Sequence, residues 1–190
     1  MTRAKGPGES TLLLLDVIAI LDRRRIPYAV VGAIAASFYG VIRASTDADA
    51  VISLRPGGLD LEALVRELGE AGLKAVQRRG EMGDPIAAVL SAEDGFGNRV
   101  DLLMGIRRMP EEVFSRTVEA KFMSESVRFV SAEDFVAMKL FAGSPKDLAD
   151  AAGVLKVSGK RIDKVLLKRL VRGYGKGALS KLSALPRASQ

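Results

Sequence analysis

From Asp47 to Leu54 the side chains alternate in character. Asp47, Asp49, Val51 and Ser53 fall on one side, and Ala48, Ala50, Ile52 and Leu54 on the other. Period two is the signature of a strand with two unlike faces. Other segments take their types from the same reading. Leu12 to Leu21 is apolar, broken by Asp16 and followed by Asp22-Arg23-Arg24-Arg25. Ser10 is placed to cap it, giving an amphipathic helix over 10–25 that Pro27 ends. Tyr28 to Val31 is a short strand, and Gly32 to Tyr39 a helix of small apolar residues closed by Gly40. Residues 41–46 form a loop, Arg55-Pro56-Gly57-Gly58 a turn, and 59–71 a helix ended by Gly72.

Strands are expected at 73–77, 86–91 and 99–104, the last two joined by a Gly-containing hairpin loop over 93–98. A helix is expected from Pro110 to Ala120 and a strand over 123–130. Ser131, with Asp134 three residues on, caps a helix to Phe141. Further helices cover 146–155 and 160–172. The order predicts an α/β (α+β) fold: a twisted mixed sheet flanked by helices, with a C-terminal helical cluster. The expected organisation is one domain with a flexible tail over 1–9, a core over 10–130, a helical part over 131–173 and a second flexible tail over 174–190.

The apolar stretch at 12–21 is too short to cross a bilayer, and no small-residue cleavage site follows it. No membrane partner and a cytoplasmic location are therefore expected. The chain of 190 residues contains neither Cys nor His. Disulfides, thiolate zinc sites, cysteine nucleophiles and imidazole bases are excluded. Chemistry falls to carboxylates, Lys, Arg, hydroxyls or a hard metal on oxygen ligands. The net charge of +6 is uneven. Residues 154–190 hold ten Lys or Arg against Asp163 alone. Arg161, Lys164, Lys168 and Arg172 make a basic stripe opposite an apolar face. That stripe suits a polyanion such as RNA, or is a solvated surface.

Asp47 and Asp49 lie two apart on one strand face, roughly 6–7 Å between Cα atoms. Asp101 is a third carboxylate inside an apolar strand, Val100 to Met104. Three acids on adjacent strands suit divalent cations in phosphoryl chemistry. Alternatively they pair with Arg43 and Arg99. Gly32-Ala33 follows a strand and opens a helix, so its N–H groups can face a phosphate. Arg43 can meet triphosphate charge or an acid, and Lys139, on a helix among apolar neighbours, can snorkel to solvent. Thr46 can orient an acid or a phosphate.

The run Tyr28 to Ala36, with Gly40, Arg43, Thr46, Asp47, Asp49 and later Asp101, resembles the minimal nucleotidyltransferases of the DNA polymerase beta superfamily. Ser131 to Leu140 followed by Lys146 to Asp150 is similar to the abortive-infection toxin branch. The resemblance spans roughly residues 10–155. It departs at Ala33, where relatives carry Gly or Ser, and at Ser144-Pro145, where an Arg is often found. It implies transfer of a nucleoside monophosphate from an NTP to a hydroxyl or phosphate acceptor, with Mg2+ or Mn2+ on Asp47, Asp49 and Asp101. It implies nucleotide contacts from Gly32, Ala33, Arg43, Thr46 and Lys139. An RNA acceptor on the basic stripe, and a partner protein in a toxin–antitoxin pair, extend the expectation. The alternatives are a nucleotide or nucleic-acid binding module without turnover and, last, a metal-dependent nuclease.

Overall fold

The computed structural model describes residues 3–54, 60–123 and 125–185. The expected turn over 55–58, Leu59 at the start of the next helix and Ser124 in the last expected strand lie outside the described residues. Seven described strands form one mixed sheet. They are β1 (Tyr28–Val30), β2 (Asp47–Ile52), β3 (Lys74–Arg79), β4 (Ile86–Glu93), β5 (Arg99–Ile106), β6 (Val118–Phe122) and β7 (Glu125–Phe129). Their order is β3-β4-β5-β2-β1-β7-β6. β2 runs parallel to β5 and β1 to β7, while the other neighbours are antiparallel. The helices are α1 (Ser10–Arg23), α2 (Gly32–Phe38), α3 (Leu61–Glu70), α4 (Ala132–Ala142), α5 (Pro145–Ser158), α6 (Lys164–Tyr174) and α7 (Lys176–Ala184). None of the described helices is long and apolar enough to cross a membrane.

The alternation over 47–52 is realised in this sheet. Ala48, Ala50 and Ile52, with Val100, Leu102 and Met104 of β5, are buried, and α1 packs on both strands. Each large apolar side chain so buried contributes about 1.5–3 kcal/mol. Asp47 and Asp49 therefore turn to the opposite face. A slip of one residue would exchange the two sets, so the core pins the acids where they are.

Five expectations are corrected. The segment after Pro110 is a short 3-10 turn, Glu111–Ser115, followed by β6. Pairing of Val118 and Ala120 with Phe129 and Val127 of β7 outweighs helical propensity there. Ser10 does not cap α1, whose N-cap is Glu9. Its hydroxyl instead donates to the Thr46 carbonyl at 2.6 Å and accepts from the Arg99 N–H at 3.1 Å, tying β2 to β5. Residues 3–9 are not a loose tail. Asn98 is 1% exposed, donates to the Gly6 carbonyl at 2.8 Å and accepts the Glu9 N–H at 2.6 Å. At the other end α7 occupies much of the expected second tail. Ala178 is buried, and Lys181 Nζ donates to the Leu140 carbonyl at 3.1 Å, meeting an orphan acceptor near the end of α4. The basic stripe is shortened at its start, because Asp163 caps α6 and leaves Arg161 in the preceding turn.

Ser131 caps α4 as expected, accepting the Asp134 N–H at 3.1 Å. Asp134 does more. Its carboxylate is wholly buried and accepts Nε and Nη2 of Arg116, each at 2.8 Å. The fork locks the turn before β6 to the start of α4. Removing one partner strands a buried charge, which costs about 3–5 kcal/mol. Arg116→Ala should lose that much in urea unfolding, and adding Asp134→Asn should recover part of it. A loss under about 1 kcal/mol would place the pair among weak surface bridges.

Candidate active site

The register of the sheet builds the site. Asp47 stands opposite Arg99, and Asp49 opposite Asp101. On the next strand Ser91 stands opposite Asp101. Arg99 Nη2 lies 3.1 Å from Asp47 Oδ2 and 3.1 Å from Asp101 Oδ2, bridging the two acids. The Ser91 hydroxyl donates to Asp101 Oδ1 at 2.6 Å, and the Ser45 hydroxyl to Asp47 Oδ1 at 2.8 Å. The Ser45 bond, with help from Arg99, holds the Asp47 carboxyl below the usual range. Asp49 has no such partner among the described residues. Burial, with the charges of Asp47 and Asp101, pushes it up to about 6, against partial relief from Lys139 and Arg43.

Gly32 is fitted to Asp49. It opens α2 at φ +64°, and a Cβ there would run into Asp49 Oδ2 and lie 2.9 Å from Cγ. Only glycine accepts both the backbone angle and the approach. The Val31 N–H donates to the Asp49 carbonyl at 3.0 Å, fixing the strand-to-helix turn beside the acid.

On the other side of Asp49 stands a clamp from α4 and α5. Lys139 of α4 donates to Asp147 at 2.8 Å and lies 3.0 Å from Asp150 Oδ2, close enough for charge attraction but not aligned as a hydrogen bond. Asp150 is 3% exposed and also faces Arg43 Nε at 3.3 Å. Arg43 reaches it because its loop crosses α5 at Gly153, where a Cβ would lie 2.7 Å from Val41 Cγ2. Asp147 also completes a capping box with Ser144. Burial works against its charge, but Lys139 and Ser144 outweigh this and hold its carboxyl low.

Two cavities flank the acids. One of about 220 Å³ has apolar walls from Ile86, Leu103, Phe135 and Phe141, with Asp49, Lys139 and Gly32 among its lining. The other, about 310 Å³, lies by Asp47 and is lined by Ala33, Arg43 and the hydroxyl residues Ser10, Thr11, Ser37 and Ser45.

Seven of the eight residues singled out from sequence thus line these cavities or belong to the charge network. Thr46 stands exposed ahead of β2, with its carbonyl held by Ser10. Lys139 neither snorkels to solvent nor stands free, but is 15% exposed and anchored on two acids. Arg43 pairs with Asp150 rather than Asp47. Ser91 went unnoticed in sequence, where a serine in a strand carries no signal. Asp150 was visible only as a helical neighbour of Asp147.

No protein-family model matches the sequence, and no curated protein matches it. Solved structures do. The crystal structure of ANT(2")-Ia in complex with adenylyl-2"-tobramycin is 21% identical, with a TM-score of 0.56 over 86% of this chain and 97% of that one. An antigenic nucleotidyltransferase-like protein from Paracoccidioides brasiliensis is 15% identical, with a TM-score of 0.51 over 96% of this chain and 94% of that one. The lincomycin-bound lincosamide antibiotic adenylyltransferase LnuA is 11% identical, with a TM-score of 0.50 over 81% and 99%. The fold is that of nucleotidyltransferases.

The donor set suits a hard divalent cation in kind: three carboxylates, one of them with its pKa raised partly by the negative charge of the other two. Among the described residues no three acids stand close enough to hold a metal ion as they are, and Arg99 supplies the positive charge between two of them.

The raised Asp49 carboxyl has a defined pH signature. Its unfolded value is near 4 and its folded value about 6. Both states are protonated below about pH 4, so no penalty exists there. Stability is lost as pH rises between about 4 and 6, and the loss then levels off. Two units correspond to about 2–3 kcal/mol. Without divalent ions, Asp49→Asn should be more stable than the parent by up to that amount at about pH 7.5, and equal at about pH 4. Urea midpoints at the two pH values test this. A variant less stable at pH 7.5 would make Asp49 a structural ion-pair residue.

Proposed function

We propose that the protein is a nucleotidyltransferase that moves a nucleoside monophosphate from an NTP to an acceptor hydroxyl and releases pyrophosphate. The observation that carries this reading is the alignment of Asp47, Asp49 and Asp101 on the open face of a nucleotidyltransferase fold. The Gly32 turn, packed against Asp49 and walling one cavity, supports it.

Asp47, Asp49 and Asp101 would hold the divalent cation, Mg2+ or Mn2+. When bound, it neutralises charge on the triphosphate and on the acids themselves. The Gly32 and Ala33 N–H groups, at the start of α2, orient phosphate oxygens. Lys139 and Arg43, held on Asp147 and Asp150, lie near enough to ease the charge of Asp49 and add positive potential where charge builds on the leaving group. The apolar cavity at Phe135 and Phe141 excludes water from that side. Asp101 takes the acceptor proton.

The test is incubation of the protein with each NTP, Mg2+ and total RNA, protein and metabolites. Labelled nucleotide on an acceptor, with stoichiometric pyrophosphate, is the expected result, abolished by Asp49→Asn. Tight nucleotide binding with no transfer to any acceptor would replace this reading by a binding module.

The exposed residues Arg161, Lys164, Lys168 and Arg172 support an RNA acceptor. Replacing all four with Gln should weaken RNA binding and flatten its log–log salt dependence by roughly 0.7–0.9 per lost phosphate contact. The fold should survive, since exposed charges contribute little to stability. An unchanged slope would make the stripe a solvated surface.

A further inference from the structure

The open sheet face continues past Asp101 to the edge strand β3. Register places Val76 opposite Ser91, and Ser91 opposite Asp101, in one row across the sheet. Lys74 lies in the row to one side, opposite Glu93, which in turn faces Arg99. Arg78 lies in the row to the other side. These residues, with Arg99, line a shallow recess of about 200 Å³. Three of them are cations, and Glu93 is the single acid.

The recess is wired to Asp101. Arg78 Nη2 donates to Ser91 Oγ at 3.3 Å, and Ser91 donates on to Asp101 Oδ1 at 2.6 Å. Arg99 belongs both to the recess and to the bridge between Asp101 and Asp47. The apolar cavity by Lys139 is lined by Asp49 but not by Asp101. The two sides of the acid row therefore differ. One is walled by apolar groups, while the other is a cationic shelf that does not itself include Asp101 but reaches it through the side chains of Ser91 and Arg99.

We infer that this recess is the acceptor subsite and that the acceptor carries a phosphate beside its reacting hydroxyl. The inference rests on the nucleotidyltransferase reading and names its second substrate. Lys74 and Arg78 are exposed, with Arg99 and Ser91 behind them. A phosphate seated between Lys74 and Arg78 gains charge-assisted hydrogen bonds and leaves a neighbouring hydroxyl directed at Asp101. The hydroxyl oxygen then bonds to the α-phosphorus, and the bond from that phosphorus to the bridging β-oxygen breaks. Pyrophosphate leaves with the electron pair, and the proton passes to Asp101 and on to solvent. A polycationic acceptor is disfavoured, because it would meet three positive side chains.

The chemistry is shared by an RNA 3′ end and a small phosphorylated sugar. Binding and transfer are measured for a short oligoribonucleotide, ribose 5-phosphate, ribose and tobramycin, with wild-type protein, Lys74→Gln/Arg78→Gln and Glu93→Gln. Phosphate-bearing probes should bind and react in preference to ribose and tobramycin. The double variant should weaken them by about tenfold or more while nucleotide binding persists. Glu93→Gln should tighten them, a gain that misfolding does not produce. Preference for the oligoribonucleotide over ribose 5-phosphate assigns the source to RNA, and comparable use assigns it to a small molecule. Preference for ribose or tobramycin, or no effect of the double variant, overturns the inference. Phosphate-probe binding that responds to both variants without transfer to any probe upholds the recess and removes the catalytic reading.

Discussion

Like charges on neighbouring strands are the constraint around which this molecule is arranged. Two carboxylates about 4 Å apart repel by roughly 4 kcal/mol at the effective dielectric of a protein surface. Here three share one face of β2 and β5, where the opposite face is packed core. The sheet cannot turn them away without exposing Ala48, Ala50, Val100 and Leu102. Arg99 lets them coexist, sitting between Asp47 and Asp101. Asp49 is left to bear the repulsion, and its raised pKa records that. A site with one under-compensated carboxylate is poised to gain from any cation brought to it.

The remaining positive charge is kept near the acids without being spent on them. Lys139 and Arg43 both point at Asp150, which lies buried between them, and Lys139 also holds Asp147. The two cations are thus paired on α5 and still close enough to Asp49 to ease its charge. Isolated burial would strip one cation of its charge or push it out to solvent. The capping box of Ser144 and Asp147 fixes the start of α5, and Gly153 lets the Arg43 loop cross it. Helices remote in sequence from the acid pair therefore set the potential around it.

The acids were legible in sequence because a carboxylate in a strand that alternates with buried Ala violates local expectation and is visible without a partner. Gly32 was legible as a strand-to-helix break. The α/β class and the succession of most elements along the chain followed from periodicity, while the order of strands within the sheet did not. Ser91 was not legible, since its meaning comes from a cross-strand register that no single segment encodes. Nor was the role of Arg99, which depends on both of its acid neighbours being in place. The ends of the chain misled for a related reason. Small and polar residues at 3–9 and Gly- and Ser-rich residues after Gly173 have little structure of their own, and Asn98 and the Leu140 carbonyl order them from a distance.

Ala33 shows how such a site absorbs a change in one of its own residues. The resemblance implies Gly or Ser at this point, and the hydroxyl that a Ser would bring is lacking; Ala33 is 4% exposed, so little of it faces any ligand. The cavity it helps to line nevertheless keeps Thr11 and Ser37 as hydroxyl-bearing walls, beside Ser10 and Ser45, whose hydroxyls are held by the Thr46 carbonyl and by Asp47, with Arg43 as its cation. Backbone N–H groups do not depend on the side chain, and the turn at Gly32 fixes where they point. Losing one hydroxyl from a wall that has several, while the backbone and charges stay in register, removes one hydrogen bond of about 1 kcal/mol. That is a change of several-fold in the affinity of a phosphate bound there.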